Sequence, residues 1–448
     1  MSRHMTEAID VLVVGAGIAG VAAACALADN GWQVRLIDQA PTLGGAVLRQ
    51  PMHGSDHRLH GPHQIRWAQL QAHLLALEKR ITINLGCQFG GVDANGMALL
   101  VHTLKRSHEI LTPRAVVLAL GATERVRPRL GWELPGVSSA GAIQILLKTS
   151  LKAPKGRIVL AGSGPLLLAV AAQLTRMNAP PLAVLEAANP FGKWRHALGL
   201  PWNYLREAAG YALTLARAGV QVYTNTELVS VRQKGAVLSL QVRSPLAERY
   251  IETDWLGLHD GLAPNHYGPL PSKHLILRKT GDGNEVLGAR AAAADGELVG
   301  HEVSGLLTQA YGQASPSGTV KTINLKRCIA VEARAQGLLN QIFQVETSQA
   351  LAKLPDDTVI CRCENRRLAD LKALGPAPTA RELRLLGRFA MGGCQGRFCS
   401  HWVEQIVGAE KKNHASILSG AHWPSRPMSI EALVTPLEDI QNSTFSKI

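Results

Sequence analysis

The chain has 448 residues, of which 46% are hydrophobic, with 43 glycines and a mean hydropathy near zero. That suits about two to four domains with sizeable cores. A formal charge of +13 admits nucleic acid, an acidic lipid surface, or an anionic cofactor or partner. The Lys and Arg residues are dispersed and aromatic content is only 4%, which argues against a nucleic-acid surface and favours a basic docking face for a partner subunit.

Ile9 to Val14 reads as a strand feeding Gly15-Ala-Gly17-Ile-Ala-Gly20, and Val21 to Leu27 continues as a helix. These apolar residues carry a glycine pattern and little preceding positive charge, so they do not read as a signal peptide. Gly31 to Ile37 gives a second strand ending at Asp38. Strand, glycines, helix and acid in this order form a dinucleotide fingerprint. Gly15 makes the turn, Gly17 admits a pyrophosphate, Gly20 lets helix and strand pack closely, and Asp38 faces ribose hydroxyls. Gly44 and Gly45 then let the chain pass close to a flat cofactor. His53, His57, His60 and His63 follow in a Gly-rich stretch. Their irregular spacing favours a plain loop over a metal site, with a substrate or cofactor role as the alternative.

Ile65 to Arg80 has a helical pattern. Ile81 to Leu85, Ala98 to Thr103 and Glu109 to Thr112 read as hairpin strands of a small insert. Ala115 to Leu120 is a buried-type strand ending at Gly121, where backbone can again approach a cofactor. Gly131 to Val137 is a rigid turn and Ala140 to Leu147 begins a helix. The break at Pro154-Lys-Gly156 marks the passage into a second domain.

There the pattern repeats 147 residues on: strand Ile158 to Ala161, Gly162-Ser-Gly164-Pro-Leu-Leu-Leu, a helix to Met177, and strand Leu182 to Leu185 ending at Glu186. Leu167 stands where a third small residue is usual, so this copy is weaker. Glu186 favours NAD over a phosphorylated ribose. Either NAD or another nucleotide binds here, or the unit is structural. His259 and Asp260 adjoin, but neighbouring side chains rarely face together, and no residue presents itself as a general base. Gly281 and Asp282 sit in a turn before a helix over Val286 to Val299. An Asp there can hold the ribityl chain of a flavin, and the helix N-terminus can face a pyrophosphate. Ser315 to Gly318 suggests a linker. Ala330 to Phe343, His401 to Val407 and Ser429 to Val434 read as helices, and the tail could wrap back over the body.

Four of the seven cysteines fall near the C-terminus. Cys361 and Cys363 are separated by one residue, Cys394 and Cys399 by four. Paired thiolates suit a metal or an iron–sulfur cluster, with structural zinc or isolated thiols as alternatives. Met391-Gly-Gly393 and Gly396 leave backbone amides near the sulfurs. A Cys-x-x-Cys pair is absent from the sequence, which argues against disulfide-reductase chemistry. Seven cysteines without a disulfide framework fit a reducing cytoplasm, and no stretch reads as a membrane span.

Residues 9 to about 300 resemble the two-dinucleotide-domain flavoprotein disulfide-reductase superfamily. More narrowly, the chain resembles the larger FAD/NAD-type subunit of hydrogen cyanide synthase, opine oxidase and D-hydroxyproline dehydrogenase complexes. The likeness rests on Gly15-Ala-Gly17, Gly44-Gly45, Trp132 with Pro135-Gly136-Val137, Gly162-Ser-Gly164-Pro, Gly257 to Asn265, Gly281-Asp282 and Gly288-Ala-Arg-Ala. Cys361-Arg-Cys363-Glu364 and Gly393-Cys-Gln-Gly-Arg-Phe-Cys399 resemble the bacterioferritin-associated ferredoxin-like domain, whose four cysteines hold a [2Fe-2S] cluster.

The resemblance implies an α/β fold: two Rossmann-like dinucleotide-binding domains plus a small, mainly helical C-terminal [2Fe-2S] domain. It divides the chain into 1–125 (FAD domain, first part), 126–250 (second, NAD-like domain), 251–325 (FAD domain, second part) and 326–448 (linker, cluster domain and tail). It implies an electron-handling subunit with its own FAD. The amine, a D-hydroxyproline, an opine or glycine, would be oxidised by a partner flavoprotein subunit resembling glycine or D-amino-acid oxidases. A small ferredoxin-like subunit and a place at the inner face of the membrane are further expectations. The alternatives are a free-standing NADH-dependent flavoprotein reductase and a non-catalytic scaffold. Three departures stand out: Ala46 replaces Gln, Leu120 replaces Thr, and Gly281 follows Asn265 by only sixteen residues, a short return for the flavin domain.

Overall fold

The protein is described by a computed structural model, over residues 9–49, 63–265, 275–312, 319–408, 418 and 424–437. Two five-stranded parallel sheets organise it. The first runs Ile276–Lys279, Ala115–Leu118, Val11–Val14, Val34–Asp38, Ile81–Leu85. The second runs Gln221–Tyr223, Ala183–Glu186, Ile158–Gly162, Trp255–His259, Val137–Ser139. In each, the strand that feeds a glycine loop is central. Val11–Val14 and Ile158–Gly162 are buried along their whole length, as strands covered on both faces must be.

Small residues set the packing of the first domain. The helix Ile18–Asp29 is buried on nearly every side. Against it lies the closing helix Ala289–Tyr311. A Cβ at Gly296 would fall 2.1 Å from the Ala19 carbonyl oxygen, and one at Gly300 2.8 Å from that of Ala23. Only glycine allows these backbones to meet. The other face of the sheet is covered by an antiparallel meander, Cys87–Val92, Ala98–His102 and Ser107–Leu111. A second three-stranded unit, Glu227–Lys234, Val237–Arg243 and Glu248–Thr253, packs on the second domain.

Ile81–Leu85 is not part of the insert, as its sequence suggested. It is the edge strand of the first sheet, parallel to Val34–Asp38. The helix Gln64–Ala76 before it supplies the crossover that a parallel neighbour requires. The boundaries also shift. Val137–Ser139 already belongs to the second sheet, ahead of the Pro154–Gly156 break, and Trp255–His259 still belongs to it, beyond residue 250. The chain leaves the first sheet after Leu118 and the second after His259, and just beyond these strands Ala122–Glu124 and Leu262–Pro264 pair antiparallel. Despite the short return from Asn265, Ile276–Lys279 takes its place beside Ala115–Leu118.

The helix forecast over 330–343 is longer, Thr319–Ile342. The forecast linker at Ser315–Gly318 lies outside the described residues, as do His53, His57 and His60. The C-terminal unit has its own small core of Ile360, Leu368, Leu371, Leu383, Phe389 and Val403. It consists of the hairpin Val359–Cys361/Arg366–Arg367 and short helices Leu368–Lys372, Ala380–Leu385 and Ser400–Ile406. The tail does return to the body: Ile430–Val434 packs on the meander, and the Leu437 amide donates to the His108 carbonyl at 2.8 Å.

Candidate functional site

The first glycine loop is built by close backbone contacts. Gly15, at φ +105°, leaves no room for a side chain, because a Cβ would lie 2.3 Å from the Ala119 oxygen. Gly17 faces Gly45, whose Cβ would come 3.1 Å from the Gly17 Cα. Gly44 is anchored by its amide donating to the Ala16 carbonyl at 2.9 Å. Asp38 accepts from the Ala16 amide at 2.7 Å and from the Ala40 amide at 2.8 Å. Burial pushes the Asp38 carboxyl up and these amides pull it back. Gly17 offers no side-chain cap to the helix Ile18–Asp29, so its first amides remain for an anion.

The other residues forecast for this site converge on it. A Cβ on Gly281 would lie 2.6 Å from Ala19 Cβ, and one on Gly283 3.2 Å from the Gly121 amide. Asn265 pins the Gly121 turn, accepting from Thr123 Oγ1 at 2.5 Å and donating to the Leu120 carbonyl at 2.9 Å. Asp282 Oδ1 accepts from the Leu287 and Gly288 amides, both at 3.0 Å. It therefore fixes the two residues that lead into the closing helix, with its second oxygen unused in these contacts. Gly15, Gly17, Gly20, Asp38, Gly44, Gly45, Gly121, Gly281 and Asp282 thus gather at the carboxyl ends of the first sheet, with Gly20 packed inward against Gly15. Facing glycines and uncapped amides fit a dinucleotide such as FAD.

The second loop is more closed. Gly162, at φ +137°, abuts His259, whose carbonyl oxygen would be 1.7 Å from a Cβ. Glu186 accepts from Gly164 at 3.0 Å and Ala188 at 2.8 Å, and is only 4% exposed. Burial pushes its carboxyl up, opposed by these amides. His259 and Asp260 face apart. His259 Nδ1 lies 2.9 Å from Glu124 Oε1, and its ring lies against Gly164. Asp260 turns to Arg129, at 2.6 and 2.8 Å, and to the Arg127 amide. Burial pushes Asp260 up, but the Arg129 charge overrides it and holds the carboxyl low.

The four C-terminal cysteines meet as two pairs. Cys361 and Cys399 both sit in the core of the C-terminal unit, and Cys363 lies near Cys394. The first pair is buried; Cys363 is exposed and Cys394 half-buried. The Cys399 contact, against burial, holds the Cys361 thiol down at about 6, aided by amides of Glu364, Ala390 and Cys363. The same contact, with burial, drives Cys399 up. Gly392 is obligatory beside them, since a Cβ there would lie 2.3 Å from Cys363 Cβ. Among the described residues no group of three or more His, Cys, Asp or Glu side chains is gathered to hold a single metal ion.

The cysteine unit is docked on the second domain. Trp132, 1% exposed, donates from Nε1 to the Val359 carbonyl at 2.6 Å. Arg362, between the first two cysteines, lies 5.2 Å over the Trp132 ring and donates to the Val137 carbonyl at 3.3 Å. Three contributors had no signal in the sequence. Glu124 orients His259 and accepts from the Gly141 amide at 2.8 Å. Lys148, 9% exposed, reaches from the second domain to the Ala46 and Val47 carbonyls at 3.0 and 2.8 Å. Burial and nearby Arg49 pull its pKa down to about 8. Ser163 donates to the Phe343 carbonyl at 2.8 Å.

Residues 9–276 match the family described as pyridine nucleotide-disulphide oxidoreductase, more than half of the chain. The chain belongs to that family. It is thus a flavoprotein-type oxidoreductase, although Cys25 and Cys87 are separately buried thiols pushed to about 12, not a redox pair. It is 31% identical to an opine oxidase subunit from Agrobacterium tumefaciens (strain Ach5), over 92% of this chain and 88% of that one. It is 27% identical to the hydrogen cyanide synthase subunit HcnB of Pseudomonas protegens, over 89% and 93% respectively. A solved L-proline dehydrogenase from P. horikoshii shares the fold at a TM-score of 0.62 and 16% identity, covering 96% of this chain and 81% of that one. Both sequence relatives are named as subunits. No described helix is long and apolar enough to cross a membrane.

Proposed function

We propose that the protein is the FAD- and [2Fe-2S]-bearing electron-transfer subunit of a hetero-oligomeric amino-acid or amine dehydrogenase. The observation that carries this is the gathering of Cys361, Cys363, Cys394 and Cys399 in one small C-terminal unit that Trp132 docks on the second domain. When bound, FAD would supply two-electron and one-electron chemistry and the cluster one-electron chemistry. The chain's own residues do the rest. The Gly15–Gly20 loop and Gly44–Gly45 bind and flatten around the dinucleotide, and Asp38 fixes the loop. Asp282 orients the closing helix toward the cofactor. Amides of Cys363, Glu364 and Ala390 stabilise negative sulfur at Cys361. The exposed side of the cysteine unit, at Cys363, is where a redox partner would approach.

The substrate on this reading is of the opine, glycine or D-hydroxyproline class, the opine oxidase relative's name supporting the first; it is oxidised on a partner subunit resembling amino-acid oxidases, with a small ferredoxin-like chain as a further member. A cytoplasmic location, including the inner membrane face, fits this reading. The test is iron, acid-labile sulfide and flavin content, followed by anaerobic addition of the amine. Wild-type protein should carry two irons per chain and Cys363→Ser should lose them. The amine should reduce the complex and not the isolated chain; reduction of the isolated chain would overturn the division of labour. The second fingerprint favours the alternative of an NADH-dependent reductase. That reading requires NADH to bleach the flavin and Gly164→Trp to prevent it.

A further inference from the structure

The second dinucleotide crevice is crossed by the chain itself. We infer that residues 338–346, the end of the helix Thr319–Ile342 and the turn after it, are a built-in occupant of that crevice, so that the protein as folded takes no pyridine nucleotide there. In this fold the pyrophosphate rests on the first glycine turn and the helix after it, and the ribose on the acid ending the next strand. Each of these places is engaged. Ser163, inside the glycine turn, donates to the Phe343 carbonyl at 2.8 Å. Lys193, in the loop beyond the acid, donates to the next carbonyl, Gln344, at 3.0 Å. A hydroxyl and an ammonium that could serve a phosphate are therefore spent on consecutive main-chain oxygens. The helix following the turn opens with Pro165, which has no amide hydrogen to offer. Glu186 accepts from two amides as Asp38 does, but it is 4% exposed where Asp38 is only half-buried.

The occupant is well seated. The last carbonyls of a helix lack partners within it, and Ser163 and Lys193 provide them just past Ile342. Ile342 is 5% exposed. Leu338 meets Gly199, where a Cβ would come 3.0 Å from Leu338 Cδ1. The first crevice differs, because glycines face it rather than a helix end. The occupant bears only on which nucleotide enters the second domain, whatever the first domain and the cysteines hold, and so does not depend on the electron-transfer reading.

The test uses the full chain, NADH titrated to millimolar concentration, nicotinamide fluorescence, and amide hydrogen exchange over 338–346. Two variants release the segment without touching Ser163, Lys193 or Glu186. Ile342→Asp places a charge where the helix end is buried, and Gly199→Val wedges against Leu338 from an exposed position. The expected result is no fluorescence change and unaltered exchange in the wild type. The released variants should exchange faster over 338–346 and bind NADH at least about tenfold more tightly. Binding of NADH to the wild type with protection of 338–346 intact would overturn the inference. So would a variant with accelerated exchange there and no gain in NADH binding.

Discussion

Replacing Trp132 tests whether the cysteine unit is held to the second domain by a few named contacts. The side chain is 1% exposed. Burying an aromatic of that size removes roughly 150–250 Å² from water. At about 25 cal/mol per Å² this is roughly 4–6 kcal/mol, an upper bound because unfolded chains bury some area already. Trp132→Ala should therefore cost about 3–5 kcal/mol. Trp132→Phe is the sharper probe. It keeps most of the area and the ring beneath Arg362 but removes the Nε1 donor to Val359. Losing that donor from a buried carbonyl should cost about 1–3 kcal/mol. The loss should fall on the hairpin that carries Cys361 and Cys363, because Val359 begins it. The assay is amide exchange over 358–407 alongside thermal unfolding. Exchange there should rise by about tenfold or more in Trp132→Phe. If that region is unchanged while the second domain alone loosens, Trp132 is merely a core residue and the docking argument fails.

Lys148 should give a distinctive pH dependence. Its folded pKa, about 8, lies below the ordinary 10.5. The unfolded chain therefore holds the extra proton across that window, and the contribution to stability rises from pH 8 to 10.5 by about 3 kcal/mol. Denaturation midpoints of Lys148→Met should lack that rise relative to wild type. Arg129→Met should leave Asp260 buried and unpaired and cost about 3–5 kcal/mol near neutral pH by denaturant unfolding. The deficit should shrink in acid as Asp260 protonates. Gly15→Val puts a branched side chain at φ +105° and 2.3 Å from a carbonyl oxygen. It should emerge with most of its flavin absorbance lost.

Much of the first crevice was legible because its constraints are local. The spacing of Gly15, Gly17 and Gly20 marks one strand–turn–helix, even though Gly15 and Gly17 are crowded by distant Ala119 and Gly45, and the same grammar located Gly162, Gly164 and Glu186. Cysteine spacing was equally local. Ile81–Leu85 was misplaced because a short strand carries no mark of its partner, and Val34–Asp38 lies more than forty residues earlier. Lys148 resembles any lysine on an amphipathic helix until the fold brings Ala46 and Val47 to it. The helix ending at Ile342 was readable, but its destination depended on Ser163, 180 residues away. His259 and Asp260 were rightly doubted as a dyad, for strand geometry sends one to Glu124 and the other to Arg129.

The interleaving of the two domains imposes an order on synthesis. Every strand of the second sheet lies between Val137 and His259, so that domain can close as soon as it leaves the ribosome. The first cannot. Its strand Ala115–Leu118 has one edge bare until Ile276–Lys279 emerges, at common translation rates of about 5–20 residues per second a wait of roughly ten to thirty seconds. Through that interval a flat, wholly apolar strand is open to the wrong neighbour. The nascent chain is thus most in need of shielding after its second domain has folded, not before.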